Sequence, residues 1–209
     1  MDTGNTINVL LRPEEEKDFH LVENLTREAF WNIYKPGCDE HLLIHNIRKR
    51  NEFIRNLDYV AVFNDEIIGN IVYAKAKIIG INKEYDVITF GPVSVLPIYQ
   101  KKGIGKKLIE HTITKAKKMG FNAIMIYGNP KYYERFGFKN SKEYKITDME
   151  GNYNDALMAL ELFPNSLENI NGKFFEGEAY KVDKKELEIF EKDFPYKEKL
   201  VLETQIFKE

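Results

Sequence analysis

The sequence predicts an α/β (α+β) domain: a mixed, mostly antiparallel sheet with a splayed parallel strand pair and flanking helices. Three observations point to it. Residues 57–97, "LDYVAVFNDEIIGNIVYAKAKIIGINKEYDVITFGPVSVLP", are rich in Val, Ile, Tyr and Phe and are broken by the turn signals "NDE" and "INKE", which divides them into an antiparallel meander of three strands. A helical pattern then joins "VITFGPVSVLP" to the apolar run "FNAIMIYG", so these two strands are expected to be parallel, with a right-handed crossover. Finally, Pro92 lies inside the first of that pair and Pro97 closes it. A proline forfeits a ladder bond, so the strand is expected to be interrupted and to part from its neighbour.

Taken in order, "INVLLR" (residues 7–12) reads as a short strand. Pro13 with Glu14, Glu15 and Glu16 reads as a first helical turn, where proline needs no amide partner and acids suit the helix dipole. Phe19, Val22, Leu25 and Ala29 continue at helical spacing. After the break "KPG", a second helix is expected from about Asp39 to Phe53, with Leu43, Ile44 and Ile47 on its buried side. Between Lys102 and Met119, Ile104, Leu108, Ile109, Ile113, Ala116 and Met119 share one face, while Lys106, Lys107, Glu110, His111, Lys115, Lys117 and Lys118 share the other; Gly120 closes this helix. A short helix at "PKYYERFG" and strands at "FKNSKEYKI" and "DALMALEL" complete the sheet. The core domain is therefore expected over residues 1–163. Residues 164–209 are expected to form a C-terminal extension whose "KKELEIFEKDF" helix packs on the domain or on a partner subunit.

At 209 residues the chain has room for one domain and an appendage. With 43% hydrophobic and 31% charged residues it has a globular composition. Lys and Arg total 31 against 33 Asp and Glu, so no global field favours nucleic acid or an anionic membrane. No apolar run approaches the roughly 18 residues of a membrane span, and the N-terminal residues lack a secretory pattern. The expectation is a cytoplasmic protein with no nucleic-acid or membrane partner. Cys38 is the single cysteine, which excludes an internal disulfide, and Asp39 and Glu40 beside it disfavour a thiolate. His41 and His45 stand at i and i+4, yet Leu42 replaces the glutamate of "HExxH" and no third ligand is evident. No metal is expected, and the pair reads as surface or acceptor-site residues.

The chemistry centres on "QKKGIGKK", residues 100–107. A P-loop would need glycine where Gln100 stands and a hydroxyl where Lys107 stands. A dinucleotide fingerprint would need glycine in place of Leu108. What survives is a turn in which Gly103 and Gly105 let bare amides at a helix N-terminus crowd an anion, with Lys101, Lys102, Lys106 and Lys107 around it. If the preceding strand parts from its neighbour, unpaired amides open beside this turn, where an amide-bearing ligand can pair like an added strand. A pyrophosphate with a peptide-like arm describes coenzyme A.

At this point "VSVLPIYQKKGIGKKLI" resembles the acyl-CoA loop of the GNAT N-acetyltransferase superfamily, matched at Gln100, Gly103 and Gly105, and "NPKYYERFGF" is similar to its second motif, matched at Asn129, Tyr133, Gly137 and Phe138. The two motifs span about Val93 to Phe138. The resemblance implies the acyl-CoA N-acyltransferase fold, with acetyl-CoA as cosubstrate and transfer to a primary amine of a small molecule or peptide. It implies that amides of Val93 and Val95, flanking Ser94, bind the pantetheine arm and polarise the thioester. The backbone of Lys101, Lys102, Gly103, Ile104, Gly105 and Lys106 would hold the pyrophosphate, and Asn129 would touch the arm. Tyr133 is the expected general acid: a phenol with reference pKa about 10 can protonate a thiolate near 8.5 only when held close and desolvated. Tyr132 is expected to pack. Glu84, Asp86 and Glu66 are acids near strand ends, and nothing in their spacing selects a general base. A non-catalytic acyl-CoA sensor is the competing reading, and the tail is expected either to cap the acceptor pocket or to build a homodimer interface from Phe174, Phe175, Phe190 and Phe194.

Overall fold

The computed structural model describes residues 7–207. A single mixed sheet of nine strands carries helices on both faces. β1 (Leu10–Pro13), β2 (Tyr59–Phe63), β3 (Glu66–Ile79) and β4 (Glu84–Val95) are successive antiparallel neighbours, as the turn signals at Asn64–Asp65 and before Glu84 require. β5 (Ala123–Tyr127) lies parallel to β4, and β8 (Leu157–Glu161) and β6 (Lys139–Asn140) continue the order β1-β2-β3-β4-β5-β8-β6. Two further strands lie off this path: β7 (Ile146–Thr147) pairs with β9 (Gly172–Phe175), and β9 pairs with the far end of β3.

One face of the sheet is covered by α3 (Ile104–Lys118), whose Ile104, Leu108, Ile109 and Ala116 bury against Ile71, Tyr73, Ile88 and Ile124. Thr112 is buried on the same stripe because its hydroxyl bonds that of Tyr73 at 2.9 Å. Lys107 leaves the solvated face assigned to it above, its ammonium donating to the carbonyl of Ile7 at 2.7 Å. The other face is covered by α1 (Phe19–Phe30) and α2 (Glu40–Arg48), through Val22, Ile44 and Ile47 packed on Val60, Val72 and Ala74. Among the described residues no helix is long and apolar enough to cross a membrane.

Several local expectations need correction. Pro13 ends β1 instead of opening a helix. The amide of Glu14 bonds the carbonyl of Asp58 at 3.1 Å and its carboxylate pairs with Arg48 at 2.5 Å, so this stretch stays on the sheet edge. A 3-10 turn at Glu16–Asp18, held by Arg12 on Asp18, then starts α1. α2 stops at Arg48 because the chain beyond it is drawn onto β3, with the Ile54 amide on the Tyr73 carbonyl and the Lys75 amide on the Glu52 carbonyl. "FKNSKEYKI" is not one strand. Asn140 caps a 3-10 turn at Ser141–Tyr144 and Lys145 is left-handed, so β6 and β7 join different neighbours.

After Phe163 the chain contributes β9 to the sheet, then α5 (Lys184–Phe190), whose N-terminus is capped by Asp183. Leu187 and Phe190 are partly buried, and Phe194 is buried against His20, His41 and Phe190.

Candidate active site

β4 and β5 touch at one parallel register point, Ile88 with Ile124, and are not paired beyond it. The parting has a local cause. The register of β3 against β4 shifts between Ile71 and Tyr73, Gly91 has φ 143°, and Pro92 follows it. Proline offers no amide to a neighbour, and the shift turns the strand away. Past it, β4 stays paired to β3 on one edge, Val93 opposite Ile71, Ser94 opposite Asn70 and Val95 opposite Gly69. The Leu96 amide donates to Ile68 of β3 at 3.0 Å. By strand alternation the Ser94 amide points the same way, and the amides of Val93 and Val95 fall on the open edge. The Ser94 side chain faces α1, its hydroxyl 2.9 Å from that of Thr26. The Val93 and Val95 side chains pack toward α3.

At the mouth of this cleft a 3-10 turn, Pro97–Tyr99, leads into the glycine turn. Gln100 donates from Nε2 to the Val95 carbonyl at 3.1 Å, tying the turn back to the strand end. Lys101 is left-handed at φ 60° and Gly103 at φ 81°. Gly103 is the N-cap of α3 and supplies no side-chain cap; the first helical bond is Lys107 amide to Gly103 carbonyl at 3.0 Å. The amides of Ile104, Gly105 and Lys106 precede that bond and so have no helical partner, the arrangement that suits an anion. Lys101, Lys102 and Lys106 are exposed around it, Lys102 over the Tyr99 ring and Lys106 3.7 Å from Glu110.

On the opposite bank, Asn129 stands two residues past the end of β5 and caps α4 (Pro130–Tyr133), its Oδ1 accepting the Lys131 amide at 3.0 Å. The Tyr133 ring packs among Phe90, Phe136 and Phe138. Burial, with smaller contributions from Tyr132 and Tyr34, pushes its phenol well above the ordinary value, so it is a protonated donor across the physiological range. Among the described residues none hydrogen-bonds its hydroxyl, which leaves the proton free for a ligand. Tyr132 packs edge-on to Tyr133, as its packing assignment expects, but its hydroxyl also reaches over α3, 3.3 Å from where a Cβ on Gly105 would lie. Gly105 thereby keeps open the gap between α3, Val93 and Val95.

Sequence reasoning missed Gly128. A Cβ there would lie 2.4 Å from Cε2 of Tyr133, so the tyrosine ring rests directly on this glycine. Gly128→Ala is expected to displace the Tyr133 ring, and in an enzyme that uses this phenol as its proton donor such a displacement lowers turnover about tenfold to a hundredfold. Steady-state rates beside an equilibrium coenzyme titration check this; unchanged kcat would mean that the ring's seat does not matter.

The remaining candidates are placed elsewhere. His41 is not a surface residue: it is fully buried beneath Phe190 and Phe194, with Nε2 3.0 Å from Glu191, and burial lowers its pKa to about 4. His45 bonds Glu23 at 2.8 Å. Burial, then Glu40, raises the Cys38 thiol, which keeps it protonated. Glu84 pairs with Lys77 at the end of β4 far from the cleft, with Asp86 two residues on, and Glu66 accepts from Tyr99 at 3.2 Å.

Residues 56–140, the segment that builds this cleft, match the acetyltransferase (GNAT) domain family. The chain is similar to the uncharacterized N-acetyltransferase YhbS of Escherichia coli K12, 21% identical over 165 residues that cover 78% of this chain and 93% of that protein. It is also similar to the uncharacterized N-acetyltransferase YjhQ of the same organism, 29% identical over 83 residues. That second alignment spans 40% of this chain and only about half, 46%, of its relative. Among solved structures the fold is similar to Escherichia coli YhbS in complex with CoA, with a TM-score of 0.74 and 20% identity over 86% of this chain and 96% of that one. A GNAT family acetyltransferase from Brucella melitensis in complex with acetyl-CoA gives a TM-score of 0.66 and 24% identity over 83% and 99% of the two chains.

Proposed function

We propose that this chain, whose residues 56–140 match the acetyltransferase (GNAT) domain family, transfers an acetyl group from acetyl-CoA to a primary amine of a small molecule or peptide. The observation that carries the proposal is the parting of β4 from β5 after Ile88–Ile124, with the uncapped start of α3 at its mouth. The cleft offers a strand edge to an amide-bearing arm and free amides to a pyrophosphate. The relatives solved with CoA and with acetyl-CoA support the same ligand.

In this reading acetyl-CoA supplies the acetyl thioester. Val93 and Val95 donate amides to the arm and to the thioester oxygen, where negative charge develops; a fixed backbone donor at that place is worth about 10²- to 10³-fold. The amides from Lys101 to Lys106 hold the pyrophosphate, Gln100 holds the turn, and Asn129 holds α4 against the arm. The acceptor nitrogen bonds to the carbonyl carbon as the carbon–sulfur bond breaks. Tyr133 gives its proton to the sulfur, and the phenolate regains one from the nitrogen. Residues 1–163 carry this chemistry in our proposal, and residues 164–209 close over the acceptor side.

The test is thiol release from acetyl-CoA with a panel of amines and peptides, beside calorimetric binding of acetyl-CoA. Binding with amine-dependent thiol release is expected. Tight binding without acetylated product across the panel would favour a non-catalytic acyl-CoA sensor, and absence of binding would discard both.

A further inference from the structure

Gly91 on β4 and Tyr127 on β5 each lie three residues past the register point that joins the parallel strands. The face of the sheet covered by α1 and α2 has a cavity of about 450 Å³, lined by Tyr127, Met149, Phe174, Phe175, Glu176 and Tyr180 among others. Tyr180 belongs to the cluster packed on α1 and α2 and donates its hydroxyl to the Gly91 carbonyl at 3.3 Å, which anchors the cavity to the point where the strands separate. Tyr127 contacts Phe174 with ring centroids 5.9 Å apart, and the next residue is Gly128, on which Tyr133 rests. The cavity thus opens opposite α3, on the far side of the cleft from the turn proposed for the pyrophosphate.

Glu176 follows the last residue of β9 and is half-buried in this wall, with no hydrogen-bond or ion-pair partner among the described residues. A partly desolvated carboxylate without a partner forfeits solvation that a bound cation would restore. The surrounding groups do not supply it. Lys181 is paired with Glu178 at 2.7 Å, Glu150 adds negative charge, and the phenols of Tyr127 and Tyr180 are both raised by burial and, next, by Glu176, so they stay neutral. Glu40, another half-buried carboxylate, is already used: its Oε2 accepts the Asp39 amide at 3.1 Å at the start of α2. Aromatic faces around one free carboxylate form a seat for an organic cation.

Resting on the transferase reading above, we infer that this cavity binds the acceptor as a primary ammonium on an apolar or aromatic arm, with Glu176 as the group that receives its charge and takes its proton. The ionised carboxylate accepts one proton from the ammonium, freeing the nitrogen lone pair for attack on the acetyl carbon, and later returns that proton to solvent. Burial raises Glu176 to about 7, which places the exchange in the physiological range. The sign follows: Glu176 is neutral below that value, so the seat is lost as pH falls through it, while an alkylammonium stays charged well above it.

The full chain loaded with CoA, which cannot transfer, is titrated calorimetrically with 2-phenylethylammonium. Binding is expected at about pH 8, weaker by about tenfold or more at about pH 5.5, and weaker by a similar factor in Glu176→Gln at about pH 8, since a charged partner is lost in each case. Glu40→Gln is expected to leave binding unchanged. Absence of amine binding, equal binding by Glu176→Gln, or a pH-independent wild type would overturn the inference. Failure of CoA itself to bind would instead strike the transferase reading, and CoA affinity of Glu176→Gln equal to wild type shows that the variant is folded.

Discussion

Tyr133→Phe is expected to reduce turnover by about 10²- to 10³-fold, within the range for loss of a general acid. Acetyl-CoA affinity is expected to change by no more than about twofold, because the lost interaction is made only as the sulfur leaves. The substitution is clean in this setting. Phenylalanine keeps the ring on Gly128 and among Phe90, Phe136 and Phe138, and the hydroxyl has no described partner whose loss would unsettle the fold. Burial keeps the phenol protonated, so the residual rate of the variant should have the wild-type pH dependence across the neutral range. Steady-state rates and coenzyme titrations on the same preparation check this. A rate within a factor of about two of wild type would remove Tyr133 from the mechanism.

Gly105→Leu is expected to weaken acetyl-CoA binding by about 10²-fold, roughly 3 kcal/mol, while leaving the fold intact. Gly105 lies within α3 with no left-handed backbone, so leucine, a better helix former, carries no conformational penalty there. Its side chain would start 3.3 Å from the Tyr132 hydroxyl and 3.9 Å from Val93 and Val95, filling the gap where the arm is proposed to run. Gly103 is the contrast. It has φ 81° and open space around it, so Gly103→Ala is expected to lose about 1–2 kcal/mol of stability through its backbone alone. Melting temperature and coenzyme affinity measured together separate the two: Gly105→Leu should bind poorly at an unchanged Tm. Wild-type affinity in Gly105→Leu would mean that the coenzyme does not pass between α3 and β4.

Much of this was legible in the sequence wherever a local pattern has one physical reading. The β3–β4 hairpin follows from β-branched residues between turn signals, and α3 from an apolar stripe at helical spacing. The splay follows from Pro92, because a missing amide in a parallel strand has few other outcomes. What was not legible depends on partners distant in the chain. Four residues, "GKFF", carry too little pattern to announce β9, which forms because Gly172 can lie 2.3 Å, at its missing Cβ, from the Ile79 carbonyl. His41 reads as a surface residue on its own helix and is covered by Phe190 and Phe194, about 150 residues later. Gly128 reads as a strand end, and nothing short of the Tyr133 ring above it gives it a task. Glu176 carries no spacing signal at all; its interest comes from β9 setting it beside Tyr127 and Tyr180.

In the proposed reading, the C-terminal segment matters on the acceptor side. β9 lies on the same edge of β3 as β2, farther along the strand, and α5 with Phe194 locks onto α1 and α2 through His41 and through Arg27, whose Nε donates to Glu191 at 2.6 Å. This fixes the wall that contains Glu176 to the helices that face it.

The central claim is acetyl transfer to an amine nitrogen, and the most direct measurement uses acetyl-CoA labelled isotopically in the acetyl group. Incubated with the full chain and the amine and peptide panel, then analysed by mass spectrometry, at least one acceptor is predicted to gain a single labelled acetyl group on nitrogen, at a rate that collapses in Tyr133→Phe. Labelled acetyl-CoA recovered intact from protein that binds it, with no acceptor modified, would contradict the account.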